Sequence, residues 1–171
     1  MDLLIIAVVL SLDAFSVALS IGLINSNYKK HFAFAILVGL FHFLMPSLGN
    51  ITSIIVLKNI IINGNKLLGF ILLILAIQML FDLKSKKEIT IKLNLLILAL
   101  SVSIDSYFTG VGLGSIKSIN LSKYLVFSIT SFLFSLIGCK LGVVGAKKYD
   151  KIANWAAIII LFLLSVKYIF L

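Results

Sequence analysis

The chain has 171 residues, of which 61% are hydrophobic and 12% are charged, and its mean hydropathy is +1.21. A soluble domain is usually about 45–50% apolar, so this composition excludes an ordinary soluble protein and predicts one small membrane domain, residues 1–171. The net charge of +9 comes from lysines in short segments between apolar runs, which indicates loops beside anionic lipid rather than nucleic-acid binding.

Six apolar runs follow one another along the chain. A transmembrane helix needs about 20 residues at a rise of about 1.5 Å each. The runs are continuous and do not alternate with polar residues, which favours helices over a β-barrel. Met1-Asp2-Leu3 lacks the basic region of a signal peptide, so we expect the first run to remain in the mature protein. The sequence predicts an all-α membrane protein with six transmembrane helices at residues 3–24, 32–57, 67–83, 93–114, 121–145 and 153–171.

The first run contains Ser11-Leu12-Asp13-Ala14-Phe15, which places a carboxylate near the middle of a spanning segment. An aspartate at the bilayer centre costs on the order of 2.5–3.5 kcal/mol, so it is rarely kept without a function. Helical spacing brings the hydroxyl of Ser16 to the same face as Asp13. These residues predict oxygen ligands for a cation. The alternative is that the aspartate hydrogen-bonds a neighbouring helix and stabilises packing.

The second run contains His42, four residues before Pro46. A neutral imidazole accepts a proton or an ion such as Mn²⁺ or Zn²⁺, so His42 is a candidate ligand. In the alternative interpretation, His42 donates a hydrogen bond to a backbone carbonyl freed by Pro46, because proline removes one helix hydrogen bond. Both interpretations stay open at this point.

The fourth run repeats the aspartate pattern as Ser103-Ile104-Asp105-Ser106-Tyr107, ninety-two residues after the first copy. Thr109 shares a helix face with Asp105. Two carboxylates with hydroxyls and backbone carbonyls form a hard oxygen site suited to Mg²⁺, Ca²⁺ or Mn²⁺. Two close carboxylates in a low dielectric need a cation or a proton to compensate their charge, so proton release on metal entry is a reasonable coupling mechanism. The predicted metal ligands are Asp13, Ser16, His42, Asp105 and Thr109.

The fifth run also matches the second, since residues 132–138 resemble residues 43–49. Each half has three spans, so the second half must enter the membrane from the opposite side. The sequence therefore predicts a 3+3 inverted repeat, with repeat one at residues 1–83 and repeat two at residues 93–171. Transporters with this arrangement commonly place their substrate at the midplane between the halves.

Small residues recur at matching positions of the two aspartate runs. Ala18 and Gly22 correspond to Gly110 and Gly114, again at an offset of ninety-two. Both pairs are small-xxx-small motifs, which allow close helix contact. We therefore expect the first and fourth helices to approach closely, so that the two aspartates face one another.

The lysines predict the orientation of the chain. Ten of the fifteen lie in or beside the first, third and fifth linkers, which places those linkers in the cytoplasm. We expect a multi-pass protein of the bacterial inner membrane with both termini outside. No Ser/His/Asp constellation lies in any aqueous part of the sequence, and the loops are too short for an active site, so we do not expect an enzyme. The expected partners are a divalent cation and membrane lipid, without nucleic acid, and the oligomeric state stays open.

The paired aspartate motifs resemble those of the MntP-type bacterial manganese efflux pumps. So do Met45-Pro46-Ser47-Leu48-Gly49 and the stretch at residues 134–142, and the resemblance covers nearly the whole chain in order. It implies Mn²⁺ export, with Mn²⁺ as substrate rather than cofactor and with Asp13 and Asp105 at the positions of the family's functional aspartates. The chain departs from the family at His42, where such pumps usually carry Gln or Glu.

The chain also departs from the family at Ala76-Ile77 and Ala156-Ala157, where these pumps tend to carry a Gly-Gly pair. We predict a secondary transporter that exports Mn²⁺ by alternating access through the two-aspartate site. The alternatives are an exporter of another substrate, such as Cd²⁺ or a small amino acid, and a membrane scaffold that transports nothing.

Overall fold

The computed structural model describes residues 2–57, 63–84, 95–116, 121–145 and 148–170, and these residues form helices without any strand. The predicted all-α class is therefore confirmed. Most of the predicted third linker lies outside the described residues. The helices are α1 (Asp2–Ile24), α2 (Tyr28–Leu57), α3 (Gly64–Lys84), α4 (Leu95–Ser101), α5 (Ile104–Ile116), α6 (Leu125–Val143) and α7 (Lys148–Phe170), with a short 3₁₀ helix at Leu121–Tyr124 before α6.

The lengths and surfaces of these helices fit a bilayer. Five segments are long and apolar enough to cross it, namely Leu3–Ile24, Tyr28–Ile55, Gly64–Phe81, Leu95–Ile116 and Leu125–Val143, while α7 contributes the shorter apolar stretch Asn154–Phe170. Leu40, Leu44 and Leu48 recur every four residues on α2, and all three are exposed. A contiguous apolar stripe of this kind is unfavourable in water and suits contact with lipid. The chain is a multi-pass membrane protein.

The helices of the two halves are interleaved. α1 packs mainly against α6 and also contacts α7, whereas α2 packs mainly against α5 and also contacts α6. α3 packs against α7 and α5. Consecutive helices α1 and α2 touch each other far less than they touch helices of the second half. Most of the packing among the described residues therefore joins one half of the chain to the other.

The small residues mediate different contacts from those expected. A Cβ atom added to Gly22 would overlap the backbone of Cys139 in α6. One added to Gly110 would lie 2.5 Å from the Cα of Pro46 in α2, and one added to Gly114 would lie 3.0 Å from the Cα of Asn50. The expectation that these residues bring the first and fourth helices together is wrong, because each motif packs against the second helix of the other half.

The fourth span is interrupted in its middle, at Val102 and Ser103 between α4 and α5. The Ser103 amide donates to the carbonyl of Leu100, three residues back, at 3.1 Å. The hydroxyls of Ser101 and Ser103 donate to the carbonyl oxygens of Leu98 and Ala99, each at 2.8 Å. Because the Ser103 amide bonds Leu100 instead of Ala99, the Ser103 hydroxyl satisfies the Ala99 carbonyl, a backbone group that a broken membrane helix would otherwise leave unpaired. The interruption starts α5 at Ile104 and puts Asp105 in its first turn, where the helix dipole interacts favourably with an acidic side chain.

Candidate cation site

The two aspartates occupy different environments. Asp13 lies within the continuous helix α1, and Asp105 lies in the first turn of α5, just after the interruption; both side chains are half-buried. α1 and α5 do not pack extensively against each other. Over the described ranges, no group of three or more His, Cys, Asp or Glu side chains lies close enough to hold a metal ion. The five-residue metal site thus stays a prediction.

Ser16 joins α1 to α7. Its hydroxyl donates to the side-chain oxygen Oδ1 of Asn154 at 3.0 Å and lies 3.2 Å from the backbone carbonyl of Leu12. Asn154 is a largely buried polar residue that sequence reasoning missed. It stands at the start of the sixth apolar run, where a polar residue is indistinguishable from the end of a loop. Ser16 therefore makes a helix-to-helix hydrogen bond one turn beyond Asp13.

Thr109 is wholly buried, and its hydroxyl donates to the backbone carbonyl of Asp105 at 3.0 Å. This is the local bond that Thr commonly makes to the residue four positions earlier in a helix. The hydroxyl hydrogen is used within α5, while the oxygen keeps lone pairs that can face a cation. Thr109 is thus compatible with ligation through its oxygen.

His42, a residue of α2, is wholly buried and faces the interrupted span. Its Nδ1 atom lies 3.1 Å from the carbonyl oxygen of Val38 and 2.9 Å from the hydroxyl of Ser103. The carbonyl that Pro46 leaves unpaired is that of His42 itself, so the histidine bonds a different carbonyl from the one expected. Through Ser103, the structure brings His42 into contact with the second aspartate motif.

Ser11 makes the equivalent contact in the first motif. Its hydroxyl donates to the carbonyl of Ala7 at 2.7 Å, and it also lies 2.9 Å from the hydroxyl of Ser131 and 3.1 Å from that of Thr130 in α6. Sequence reasoning did not single out either Ser11 or Ser103. The sequence feature that could have identified them is their shared position as the first residue of each five-residue aspartate motif.

Several buried polar atoms in these helices have no hydrogen-bond partner. They include Nε2 of His42, Oγ of Ser106 in the second motif, and Oγ of Ser135 in α6. An unpaired buried polar atom costs about 1–3 kcal/mol. Native proteins generally satisfy such atoms with water, an ion or another ligand. α2, α5 and α6 therefore each carry a buried polar atom that is left without a hydrogen-bond partner.

Comparison with known families identifies the chain. The family model described as "Putative manganese efflux pump" matches residues 25–170. The chain belongs to this MntP family. Relatives described as MntP include one from Aliarcobacter butzleri, 33% identical over 178 residues, with 98% of this chain and 97% of the relative covered. Another, from Clostridium novyi, is 38% identical over 136 residues, covering 77% of this chain and 72% of the relative.

A relative from Clostridium botulinum, described as MntP 1, is 33% identical over 180 residues, with 99% of this chain and 97% of the relative covered. No solved structure matches the chain. Membership of the MntP family makes the chain a transporter rather than an enzyme, as the sequence predicted.

Proposed function

We propose that this chain exports Mn²⁺ from the bacterial cytoplasm across the inner membrane by alternating access, with Asp13 and Asp105 as ligands and proton carriers. The observation that carries the proposal is the repeated aspartate motif, which the chain places inside two apolar spans at matching positions. Ser16, Thr109 and His42 complete the proposed ligand set. The names of the relatives, which describe manganese efflux pumps, support the choice of ion.

We infer further that residues 1–83 and 93–171 form the predicted 3+3 inverted repeat. In such a repeat, α1, α2 and α3 correspond to α5, α6 and α7. The packing supports this, because the contact of α1 with α6 has its counterpart in the contact of α5 with α2. The contact of α3 with α5 likewise has its counterpart in the contact of α7 with α1. Individual residues follow the same correspondence, since Gly22 lies against Cys139 and Gly114 lies against Asn50. Gly114 comes ninety-two residues after Gly22, and Asn50 comes eighty-nine residues before Cys139.

The interrupted fourth span supports a transport role for its aspartate. Many secondary transporters bind ions at discontinuous helices near the bilayer midplane, because irregular backbone supplies polar groups there. Here the interruption directly precedes Asp105. In the proposed cycle, the carboxylates exchange protons for the metal ion, since two carboxylates sharing one site require a compensating positive charge.

Export is tested in a bacterium that lacks its own manganese exporter. We expect the chain to lower cellular Mn²⁺ content and to restore growth in high Mn²⁺, relative to an empty vector. Protection against Cd²⁺ or against a toxic amino-acid analogue, without any effect on Mn²⁺, would favour an exporter of another substrate. Absence of protection against every substrate, at confirmed membrane expression, would favour a scaffold.

Orientation is tested by cysteine labelling in right-side-out spheroplasts. The native Cys139 is buried, so background labelling is low. Ser26 and Asn65 are exposed residues near the first and second linkers. We expect a membrane-impermeant maleimide to label Asn65→Cys in intact spheroplasts and Ser26→Cys only after permeabilisation. The opposite pattern would invert the proposed orientation and place both termini in the cytoplasm.

A further inference from the structure

We propose that Ser103 and Val38 hold His42 in one tautomer, with its hydrogen on Nδ1, so that Nε2 presents a lone pair to the transported ion. The pump would thereby select transition-metal ions over Mg²⁺ and Ca²⁺. This inference deepens the proposed function and rests on it. Its basis is the hydrogen-bond geometry around one buried side chain.

The tautomer follows from the two contacts of Nδ1. The carbonyl oxygen of Val38 can only accept a hydrogen bond, so Nδ1 must be the donor across their 3.1 Å contact. The Ser103 hydroxyl gives its single hydrogen to the carbonyl of Ala99 at 2.8 Å and therefore accepts from Nδ1 at 2.9 Å. Both contacts require the hydrogen on Nδ1. A neutral imidazole has only one N–H, so Nε2 carries the lone pair.

The Nε2 atom has no hydrogen-bond partner, although His42 is wholly buried. A second unpaired atom, Oγ of Ser106, is also wholly buried, and Ser106 lies in the first turn of α5, three residues after Ser103. Two polar atoms able to hold a cation are thus left unsatisfied, one on α2 and one in the second aspartate motif on α5, and these two helices pack against each other.

The other half of the chain contains the same arrangement without the imidazole. Ser11 donates to Ala7 as Ser103 donates to Ala99, the two pairs being ninety-two residues apart. Where Ser103 meets His42, Ser11 meets the hydroxyl of Ser131 at 2.9 Å. The two contacts correspond, except that only the one at Ser103 has an imidazole nitrogen. Ser11 therefore provides a matched control within the chain.

An imidazole nitrogen changes which ions the proposed site accepts. Mg²⁺ and Ca²⁺ bind oxygen ligands, and carboxylates with hydroxyls alone do not exclude them. Imidazole binds the first-row transition metals with an affinity that rises from Mn²⁺ to Cu²⁺, and it is a poor ligand for the two hard ions. In metal sites, the group that receives the N–H of a histidine orients the ring and fixes which nitrogen ligates. Ser103 is accordingly a positioning residue and His42 a specificity-determining one.

The tautomer is tested by nitrogen NMR of the full chain labelled with ¹⁵N-histidine in detergent micelles. The chain has two histidines, and His42→Gln assigns their signals by loss of one set. We expect the His42 signals of the parent to show a protonated Nδ1 and a bare Nε2, with Zn²⁺, which is diamagnetic, shifting Nε2. A hydrogen on Nε2, or an Nε2 signal that Zn²⁺ leaves unmoved, would overturn the inference.

Selectivity is tested by measuring Mn²⁺ and Mg²⁺ affinities of the purified protein. We expect His42→Gln, whose amide oxygen serves both ions, to lower the ratio of Mn²⁺ to Mg²⁺ affinity at least about tenfold. Ser103→Ala should lower Mn²⁺ affinity about tenfold, since loss of a supporting hydrogen bond typically costs 10–100-fold. Ser11→Ala should leave the affinity ratio at the parental value, because no imidazole depends on it.

The outcomes separate this inference from the proposed function. If the parent exports Mn²⁺ while His42→Gln keeps the parental affinity ratio, the role of His42 is wrong and the export proposal stands. If Ser11→Ala and Ser103→Ala change Mn²⁺ affinity equally, Ser103 acts through general packing and the inference is also wrong. If the parent neither binds nor exports Mn²⁺, both proposals fail. Circular dichroism and gel filtration establish that each variant is folded.

Discussion

Asp13→Asn and Asp105→Asn are each expected to abolish Mn²⁺ export. Asparagine keeps the size of the side chain and part of its hydrogen bonding, but it removes the negative charge that attracts a divalent ion and accepts a proton. Loss of a supporting hydrogen bond alone weakens metal sites by about 10–100-fold, so loss of a charged ligand should cost more than about 100-fold in affinity. The measurement is cellular Mn²⁺ content and growth in high Mn²⁺ at matched membrane expression.

The control for this experiment is Asp82→Asn, which removes a carboxylate near the end of α3 and outside both motifs. We expect it to export as the parent does. Parental export by both Asp13→Asn and Asp105→Asn would rule out the two-aspartate mechanism. Tolerance with reduced thermal stability and unchanged transport would instead assign the two carboxylates to helix packing.

Gly110→Ala is expected to destabilise the protein strongly. The new Cβ would lie 2.5 Å from the Cα of Pro46, and the atoms it meets belong to the backbone of α2. Backbone atoms in a packed helix cannot turn aside as a flexible side chain can, so the two helices must separate. Overpacking typically costs about 1–3 kcal/mol, and we expect the upper end of this range. The measurement is the thermal unfolding midpoint in detergent.

Gly39→Ala provides the matched comparison on α2. Its Cβ would lie 3.2 Å from the Cβ of Phe132 and 3.3 Å from the carbonyl oxygen of Ser128, contacts that small shifts can relieve. We expect a clearly smaller decrease in the unfolding midpoint than for Gly110→Ala. Equal decreases in the two variants would contradict the close approach of α5 to α2.

The sequence predicted the helices well because the length and continuity of apolar runs are the strongest signals in a membrane protein. The runs at residues 3–24 and 32–57 correspond closely to α1 and α2. Their boundaries are marked by short polar linkers, so little tertiary information is needed to find them. The same signal hid the interruption of the fourth span, because Leu95–Ile116 is apolar enough overall to predict one continuous helix and contains neither Pro nor Gly at the break.

The contacts between helices were harder to predict. Spacing assigned Gly22 and Gly110 to small-residue faces, and both do lie at close helix contacts. Spacing describes one helix at a time, however, and cannot say which neighbour a face will meet. For the same reason, the sequence placed His42 near Pro46 along α2 but could not reveal Ser103 as its partner across the helix interface.

The interleaved packing of the halves has a consequence for how the protein assembles. α1 and α2 leave the ribosome first, yet their main partners, α6 and α5, are encoded in the second half of the chain. Until those segments are synthesised, the glycine-containing faces of α1 and α2 are covered only by lipid, which packs less closely than a helix does. Insertion into the membrane is therefore separate in time from completion of the bundle, and neither half provides the partners that its own helices require.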